Sequence, residues 1–196
     1  MDFMKSETII NLARSFAGES QARTRYDMYA IKAKEEGYAY LAYVISQLAA
    51  NEYAHAKVFF DHINSHAPQI VNNLFIDAGY PYKIRGTMEN MQFAAEGEHE
   101  EATVIYPKFG QIAEQEGLKE IAVSYNLISK IEAQHNKIFT EIHDQLKNGT
   151  AYKKDQPVLW KCSVCGHEHL LTEPWQKCPV CGHPIGFTEL QLQELH

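Results

Sequence analysis

Seven carboxylate and imidazole side chains and four thiols are spaced in this sequence as metal ligands would be. Glu52-Tyr53-Ala54-His55 and Glu132-Ala133-Gln134-His135 each place a carboxylate three residues ahead of an imidazole. At about 3.6 residues per helical turn, both side chains of such a pair project from one face on neighbouring turns. Two single glutamates complete the set: Glu19, in the apolar context Phe16-Ala17-Gly18, and Glu98, directly after Gly97. One glutamate from each of two helices, with a Glu-x-x-His from each of two others, is the donor pattern of di-iron and di-manganese carboxylate bundles. Hard carboxylate oxygens neutralise charge on a metal that cycles between two oxidation states, and imidazoles complete its coordination. Glu101, one turn beyond Glu98 on the same face, adds a carboxylate through which one metal changes ligand as its charge changes. Glu96 and Glu100 fall off this face and are expected to be solvated. Tyr26 and Tyr106 lie one or two turns from Glu19 and Glu101, placed either as core aromatics or as hydrogen-bond donors to ligand carboxylates.

The thiols form a second constellation. Cys162-Ser-Val-Cys165 and Cys178-Pro-Val-Cys181 are separated by twelve residues, with Gly166 and Gly182 directly after each pair. Two such knuckles, with backbone amides turned toward sulfur, enclose one tetrahedral metal, and iron or zinc held by four thiolates both suit the spacing. Trp160, Trp175 and Phe187 are the expected aromatic core of this segment, and His167, His169 and His183 are expected at its surface.

The elements that must position these groups are helical up to about Lys147. Apolar residues recur at three- and four-residue intervals and predict helices over 6–36, 39–65, 87–116 and 119–146, with Ser6 as a cap and a bend at Pro107. Short turns within each pair and a longer connection, 67–83, between the pairs describe a mainly α, ferritin-like four-helix bundle with one crossover. An internal repeat supports the pairing: Tyr26 and Tyr106, Glu36-Gly37 and Glu116-Gly117, Glu52 and Glu132, and His55 and His135 are all offset by 80 positions. The composition changes after Asn148-Gly149. The reading is a bundle over 1–148, a polar linker over 149–157, and a small metal-binding β/loop module over 158–196.

The whole chain bounds the function. Its 196 residues, 45% hydrophobic and 22% charged with a formal net charge of −7, suit one well-packed domain with a small appendage. An acidic balance disfavours nucleic acid or an anionic membrane as partner. The first residues, MDFMKSETII, lack the apolar run of a secretory signal, and no later stretch is long and apolar enough to span a membrane. All four cysteines sit at metal-ligand spacing, so a reducing, cytoplasmic compartment is expected.

The chain resembles the rubrerythrin family over nearly its whole length. The resemblance is carried by Phe16-Ala17-Gly18-Glu19-Ser20-Gln21-Ala22-Arg23, Glu52-x-x-His55-Ala56-Lys57, Gly97-Glu98-His99-Glu100-Glu101, Tyr106-Pro107-x-Phe109, Glu132-x-x-His135 and the two Cys-x-x-Cys knuckles of a C-terminal rubredoxin-like module. His167 stands where an aromatic is usual. The resemblance implies a peroxidase that reduces hydrogen peroxide to water in oxidative-stress defence, with two irons in the bundle and a third in the four-cysteine site. It implies that Glu52 and Glu132 bridge, that Glu19 and Glu98 are terminal ligands, and that His135 binds the iron served by Glu98. The other iron exchanges His55 when reduced for Glu101 when oxidised, with Tyr26 and Tyr106 as hydrogen-bonding neighbours. Electrons would come singly through Cys162, Cys165, Cys178 and Cys181 from a rubredoxin or an NAD(P)H-linked reductase, in a homodimer or higher homo-oligomer. Two rival readings remain: a ferritin-like iron oxidase or storage protein using the same bundle site, and a non-catalytic protein with structural zinc between the four cysteines.

Overall fold

The computed structural model describes residues 2–193, so the last three residues of the expected 158–196 module lie outside the described residues. The predicted bundle is present. Helices α1 (Glu7–Glu35) and α2 (Ala39–His66) form one hairpin, and the chain then crosses over without regular structure to α3 (Thr87–Glu100). A π-helical turn, Glu101–Ile105, leads into α4 (Tyr106–Gln115), and α5 (Lys119–Lys147) completes the second hairpin. The helix ends agree with the sequence expectation to within a residue, for a local reason. Gly37, Gly117 and Gly149 follow α1, α4 and α5 with φ of 92°, 78° and 67°, the left-handed conformation that ends a helix without a β-carbon clash. At the start of α1, the Ile9 amide donates to Ser6 Oγ at 3.2 Å, the expected cap.

The third leg of the bundle departs from expectation. A single helix bent at Pro107 is predicted, but the break comes earlier, where the Tyr106 amide reaches back to the Glu101 carbonyl in the wider π pattern. Pro107 then falls in the first turn of α4, where its missing N–H is not called on. The inserted residue resets the helical register from Glu101 onward.

The repeat has a structural use. Glu36 Oε2 accepts the Thr87 amide at 3.0 Å at the start of α3, and Glu116 accepts the amides of Glu7 and Thr8 at 2.8 and 3.0 Å at the start of α1. Each carboxylate at a hairpin turn therefore caps another helix of the bundle. Burial would push both pKa values up, but the bonds to Thr87 and Thr8 hold them below the ordinary carboxylate value.

Backbone packing groups the chain into two compact units. The first takes residues up to Arg25, Leu48–Tyr82 and Glu96–Asn136. Its core centres on Leu12, Ile121 and an aromatic cluster in which Phe59 meets Tyr125 at 5.0 Å and Tyr106 at 5.5 Å. The second takes Tyr26–Gln47, Lys83–Ala95 and the chain from Lys137 onward. In it Tyr26 packs on Phe139, and Leu41, Ile45, Met91 and Ile142 are buried as well. Its C-terminal part is a two-stranded antiparallel hairpin, β1 (Val158–Lys161) with β2 (Glu168–Leu171), followed by loops and one 3-10 turn, Ile185–Phe187. Trp160 is fully buried, as expected, whereas Trp175 and Phe187 are half-buried, packed on His167 and His183.

Within this second unit the 3-10 turn packs on the α1–α2 turn. A β-carbon on Gly186 would fall 1.7 Å from the Gly37 carbonyl oxygen, and backbone cannot yield as a flexible side chain does. The Gln145 side chain donates to the Gln191 carbonyl at 2.7 Å, and Glu141 accepts the Gln193 amide at 2.9 Å. Gly186→Ala is expected to lower unfolding stability by about 1–3 kcal/mol, the usual cost of overpacking. Calorimetry of wild type and variant checks this, and an unchanged midpoint would remove the contact from the stability of the unit.

Candidate metal centres

All seven carboxylate and imidazole groups belong to the first compact unit. Glu19 comes from α1, Glu52 and His55 from α2, Glu98 from α3, Glu101 from the first position of the π-turn, and Glu132 and His135 from α5. Two overlapping four-residue groups result: Glu19, Glu52, His55 and Glu132, and Glu52, Glu98, Glu132 and His135, each with one ligand atom per residue and all such atoms within 4.8 Å of one another. Every member is buried.

Glu52 and Glu132 belong to both groups because each splits its oxygens between the two imidazoles. His55 Nδ1 lies 3.0 Å from Glu52 Oε2 and 2.9 Å from Glu132 Oε1. His135 Nδ1 lies 3.0 Å from Glu52 Oε1 and 3.0 Å from Glu132 Oε2. Glu19 Oε2 and Glu98 Oε2 stand farther out, each 3.8 Å from its own imidazole, His55 and His135 respectively. Two ligand atoms held at about 2.0–2.2 Å from a metal and at right angles to each other are about 2.8–3.1 Å apart, so these separations suit two cations spanned by two carboxylates.

The polar atoms carry the same message. Glu19 Oε2, Glu52 Oε1, both oxygens of Glu132 and His135 Nδ1 are buried with no hydrogen bond among the described residues. Four buried carboxylates that share two imidazoles are costly, and metal cations among them remove that cost. Divalent or trivalent iron therefore fits the donor set.

Of the two readings left open for Tyr106, the structure has both: it is buried in the aromatic cluster and donates a short hydrogen bond to Glu19 Oε1. Burial and the Glu19 charge push its pKa well up, so it keeps this proton. Tyr26 is buried in the second unit against Tyr29 and Phe139. Glu101 stands outside both four-residue groups, half-buried, facing Gly18. Glu96 and Glu100 are exposed, as expected. One neighbour was not foreseen: the carboxamide of Asn51 meets His135 Nε2 at 3.2 Å. With Nδ1 facing the carboxylates, the contact at Nε2 holds the orientation of the ring. Nothing in the sequence distinguishes Asn51 from any polar helix residue, because the contact joins two helices.

Protons compete with a metal for this cluster. Burial opposes the imidazolium of His55, yet Glu132, Glu19 and Glu52 hold its pKa up at about 12, and His135 is raised in the same way by Glu132, Glu52 and Glu98. Burial would raise Glu52, but the imidazoles of His135 and His55 bring it down to about 2. Burial and the Glu52 charge lift Glu98 to about 8, and Glu19 and Glu101 are raised too, burial leading in both. At pH 7 a metal must therefore displace protons from the imidazoles and from Glu98. Ferrous-ion loading at pH 7 is expected to release about three protons, with the overall two-ion affinity rising at least about a hundredfold per pH unit between pH 6 and 8. Calorimetry in buffers of different ionisation enthalpy measures this, and a pH-independent affinity would contradict it.

The four thiols form the second candidate centre. Cys162 Sγ lies 3.7 Å from Cys181 Sγ, and Cys165 Sγ lies 3.6 Å from Cys178 Sγ. These distances are far too long for a disulfide and close to the roughly 3.8 Å edge of a tetrahedron with metal–sulfur bonds of about 2.3 Å. The two knuckles repeat one hydrogen-bond pattern: the amides of Cys162 and Cys178 donate to the carbonyls of His167 and His183, both at 2.8 Å, and Gly166 and Gly182 donate back to Cys162 and Cys178. Gly166 and Gly182, with φ of 73° and 75°, let each loop close. The Cys178 thiol, although burial opposes it, is drawn down to about 7 by the amides of Cys181 and Val180. A partly ionised thiol under amide donors is suited to bind a metal. Among the described residues no helix is long and apolar enough to cross a membrane.

Comparison with known proteins agrees with this pair of centres. The family model for rubrerythrin matches residues 11–143, and that for the rubrerythrin rubredoxin-like domain matches residues 160–187. A putative rubrerythrin of Methanocaldococcus jannaschii is 40% identical, over 96% of this chain and 94% of its own. The rubrerythrin of Clostridium perfringens is 39% identical, over 82% of each chain. Among solved structures, fully reduced nigerythrin superposes with a TM-score of 0.63 over 96% of this chain and 91% of its own, at 23% identity, a likeness of fold. Family models that match both the bundle and the knuckles, with relatives about two-fifths identical over most of both chains, establish that the chain belongs to the rubrerythrin family.

Proposed function

We propose that this chain is a peroxidase that reduces hydrogen peroxide to water in oxidative-stress defence, inside a reducing cytoplasm. The observation that supports it most is that Glu52 and Glu132 each face both His55 and His135, in a chain that also carries a four-thiol site. Irons held by the carboxylates and imidazoles of the bundle would supply the two electrons for O–O cleavage, and an iron held by Cys162, Cys165, Cys178 and Cys181 would return electrons one at a time.

The protein's own part is to hold charge and protons. Glu52 and Glu132 would bridge the two ion positions, Glu19 and Glu98 would be terminal ligands, and His135 would serve the Glu98 side. His55 and Glu101 would alternate at the other position, Glu101 being carried on the first position of the π-turn. Tyr106 keeps Glu19 Oε1 occupied with a proton, so that only Oε2 faces the cluster. Tyr26 is the second tyrosine that the family resemblance assigns a hydrogen-bonding role. Residues 1–148 are the peroxide-reducing module, 149–157 the linker and 158–196 the electron-delivering module. The donor is a rubredoxin or an NAD(P)H-linked reductase, and the working form is a homodimer or higher homo-oligomer.

The test is the visible spectrum and metal content of the oxidised protein, then anaerobic reduction and titration with hydrogen peroxide. A red ferric–thiolate chromophore, about three irons per chain by ligand count, and rapid reoxidation are expected. A colourless protein with zinc between the cysteines would defeat the electron-relay part and leave a ferritin-like oxidase.

A further inference from the structure

A cavity of about 250 Å3 opens between α1, the crossover and the π-turn, all within the first compact unit. Its floor, at Ser15, Gly18 and Tyr106, is buried, and its mouth, at Ala78, Gly79 and Val104, is exposed. Tyr80 lines one wall, its hydroxyl donating to the Arg14 carbonyl at 2.8 Å. A β-carbon on Gly18 would sit 3.5 Å from the Tyr80 ring and 3.9 Å from Glu101 Oε1. The missing side chain at Gly18 therefore leaves the Glu101 carboxyl open to the cavity. Beyond Glu101 the wall is chiefly apolar, from Val104, Ile105, Phe109 and the Tyr80 ring.

Hydrogen peroxide makes poor use of such a space. It is little larger than water, whose share of liquid volume is about 30 Å3, and it gains nothing from apolar walls. A substrate with an apolar group at one end and a peroxide at the other uses both features.

We propose that this cavity admits small organic hydroperoxides, with the alkyl or arylalkyl group against Tyr80, Val104, Ile105 and Phe109 and the O–O group toward Glu101. The proposal rests on the peroxidase reading. The step balances as that reading requires: the O–O bond of ROOH breaks, each of the two ferrous ions gives one electron, and two protons from solvent complete ROH and H2O.

The experiment compares hydrogen peroxide and cumene hydroperoxide as oxidants of the anaerobically reduced, iron-loaded full chain by stopped flow. Reoxidation by cumene hydroperoxide is expected within about 100-fold of the hydrogen peroxide rate, and Ala78→Trp, which fills the mouth from the crossover, should lower the ratio of the two rates by at least about tenfold, the scale on which apolar pockets discriminate. A reading independent of turnover is saturation-transfer NMR of cumyl alcohol on the full chain loaded with redox-inert zinc. Transfer is expected in the wild type and should be lost in Ala78→Trp, or in Ala78→Leu if the larger residue does not fold. Rapid reaction with hydrogen peroxide but a cumene hydroperoxide rate more than about 100-fold slower, or transfer unchanged in the variants, overturns the proposal and leaves the peroxidase reading standing. Failure with both oxidants removes the peroxidase reading and the proposal with it.

Discussion

Glu132→Ala is expected to bring the iron content from about three to about one per chain, emptying both bundle positions rather than one. Glu132 gives one oxygen to the neighbourhood of His55 Nδ1 and the other to that of His135 Nδ1, at 2.9 and 3.0 Å. On the proposed assignment its removal would leave each ion position one donor short, with Glu52 the one remaining bridging carboxylate. Partners that merely orient a ligand change metal affinity by about 10–100-fold, so a shared direct donor should cost more. Peroxide-driven reoxidation should fall by at least about 100-fold on the same scale. The thiolate site should keep its ferric absorption, because its four sulfurs lie in the other compact unit. Metal analysis with visible spectroscopy decides the matter, and full two-ion occupancy of the bundle in this variant would defeat the bridging assignment. Glu52→Ala should behave alike, because Glu52 spans the same two imidazoles.

Cys162→Ser should stop turnover without stopping chemistry. Cys162 is buried at the end of β1, and its amide closes the first knuckle on the His167 carbonyl. Serine keeps that amide but replaces a thiolate by a hydroxyl, which does not supply the soft, charged donor that a closed four-sulfur site uses. Steady-state peroxide reduction driven by a reductase is expected to fall by at least about 100-fold, on the scale of losing a required electron carrier. Peroxide should still reoxidise, at the wild-type rate, bundle iron reduced chemically with dithionite. Wild-type chain carrying zinc between the cysteines is the companion measurement, since zinc preserves the knuckles and has no redox chemistry. If either form keeps the full reductase-driven rate, electrons enter the bundle by a route that bypasses the cysteines.

Much of this was legible in the residues. Helix ends followed from glycines that adopt positive φ after α1, α4 and α5, and from the Ser6 cap. Donor identities followed from Glu-x-x-His spacing, because two residues three apart on a helix share a face whatever surrounds them. The Cys-x-x-Cys-Gly knuckle likewise determines its own local hydrogen bonds, which is why both copies look alike. The offset of 80 positions announced two similar hairpins, although not that Glu36 and Glu116 reach across to cap other helices.

What the sequence determined by itself was therefore what depends on near neighbours: the helical period, the glycine stops, the thiol knuckles and the inventory of candidate donors. Tertiary structure alone decided which oxygen of Glu52 and Glu132 faces which imidazole, that Asn51 meets His135, and that Gly186 abuts Gly37. It also decided that Pro107 is accommodated by a π-turn beginning at Glu101 rather than by a bend at the proline, and that the crossover walls a cavity beside that carboxyl. Each of these is fixed by the packing of side chains from several helices at once, and no spacing rule within one segment contains it.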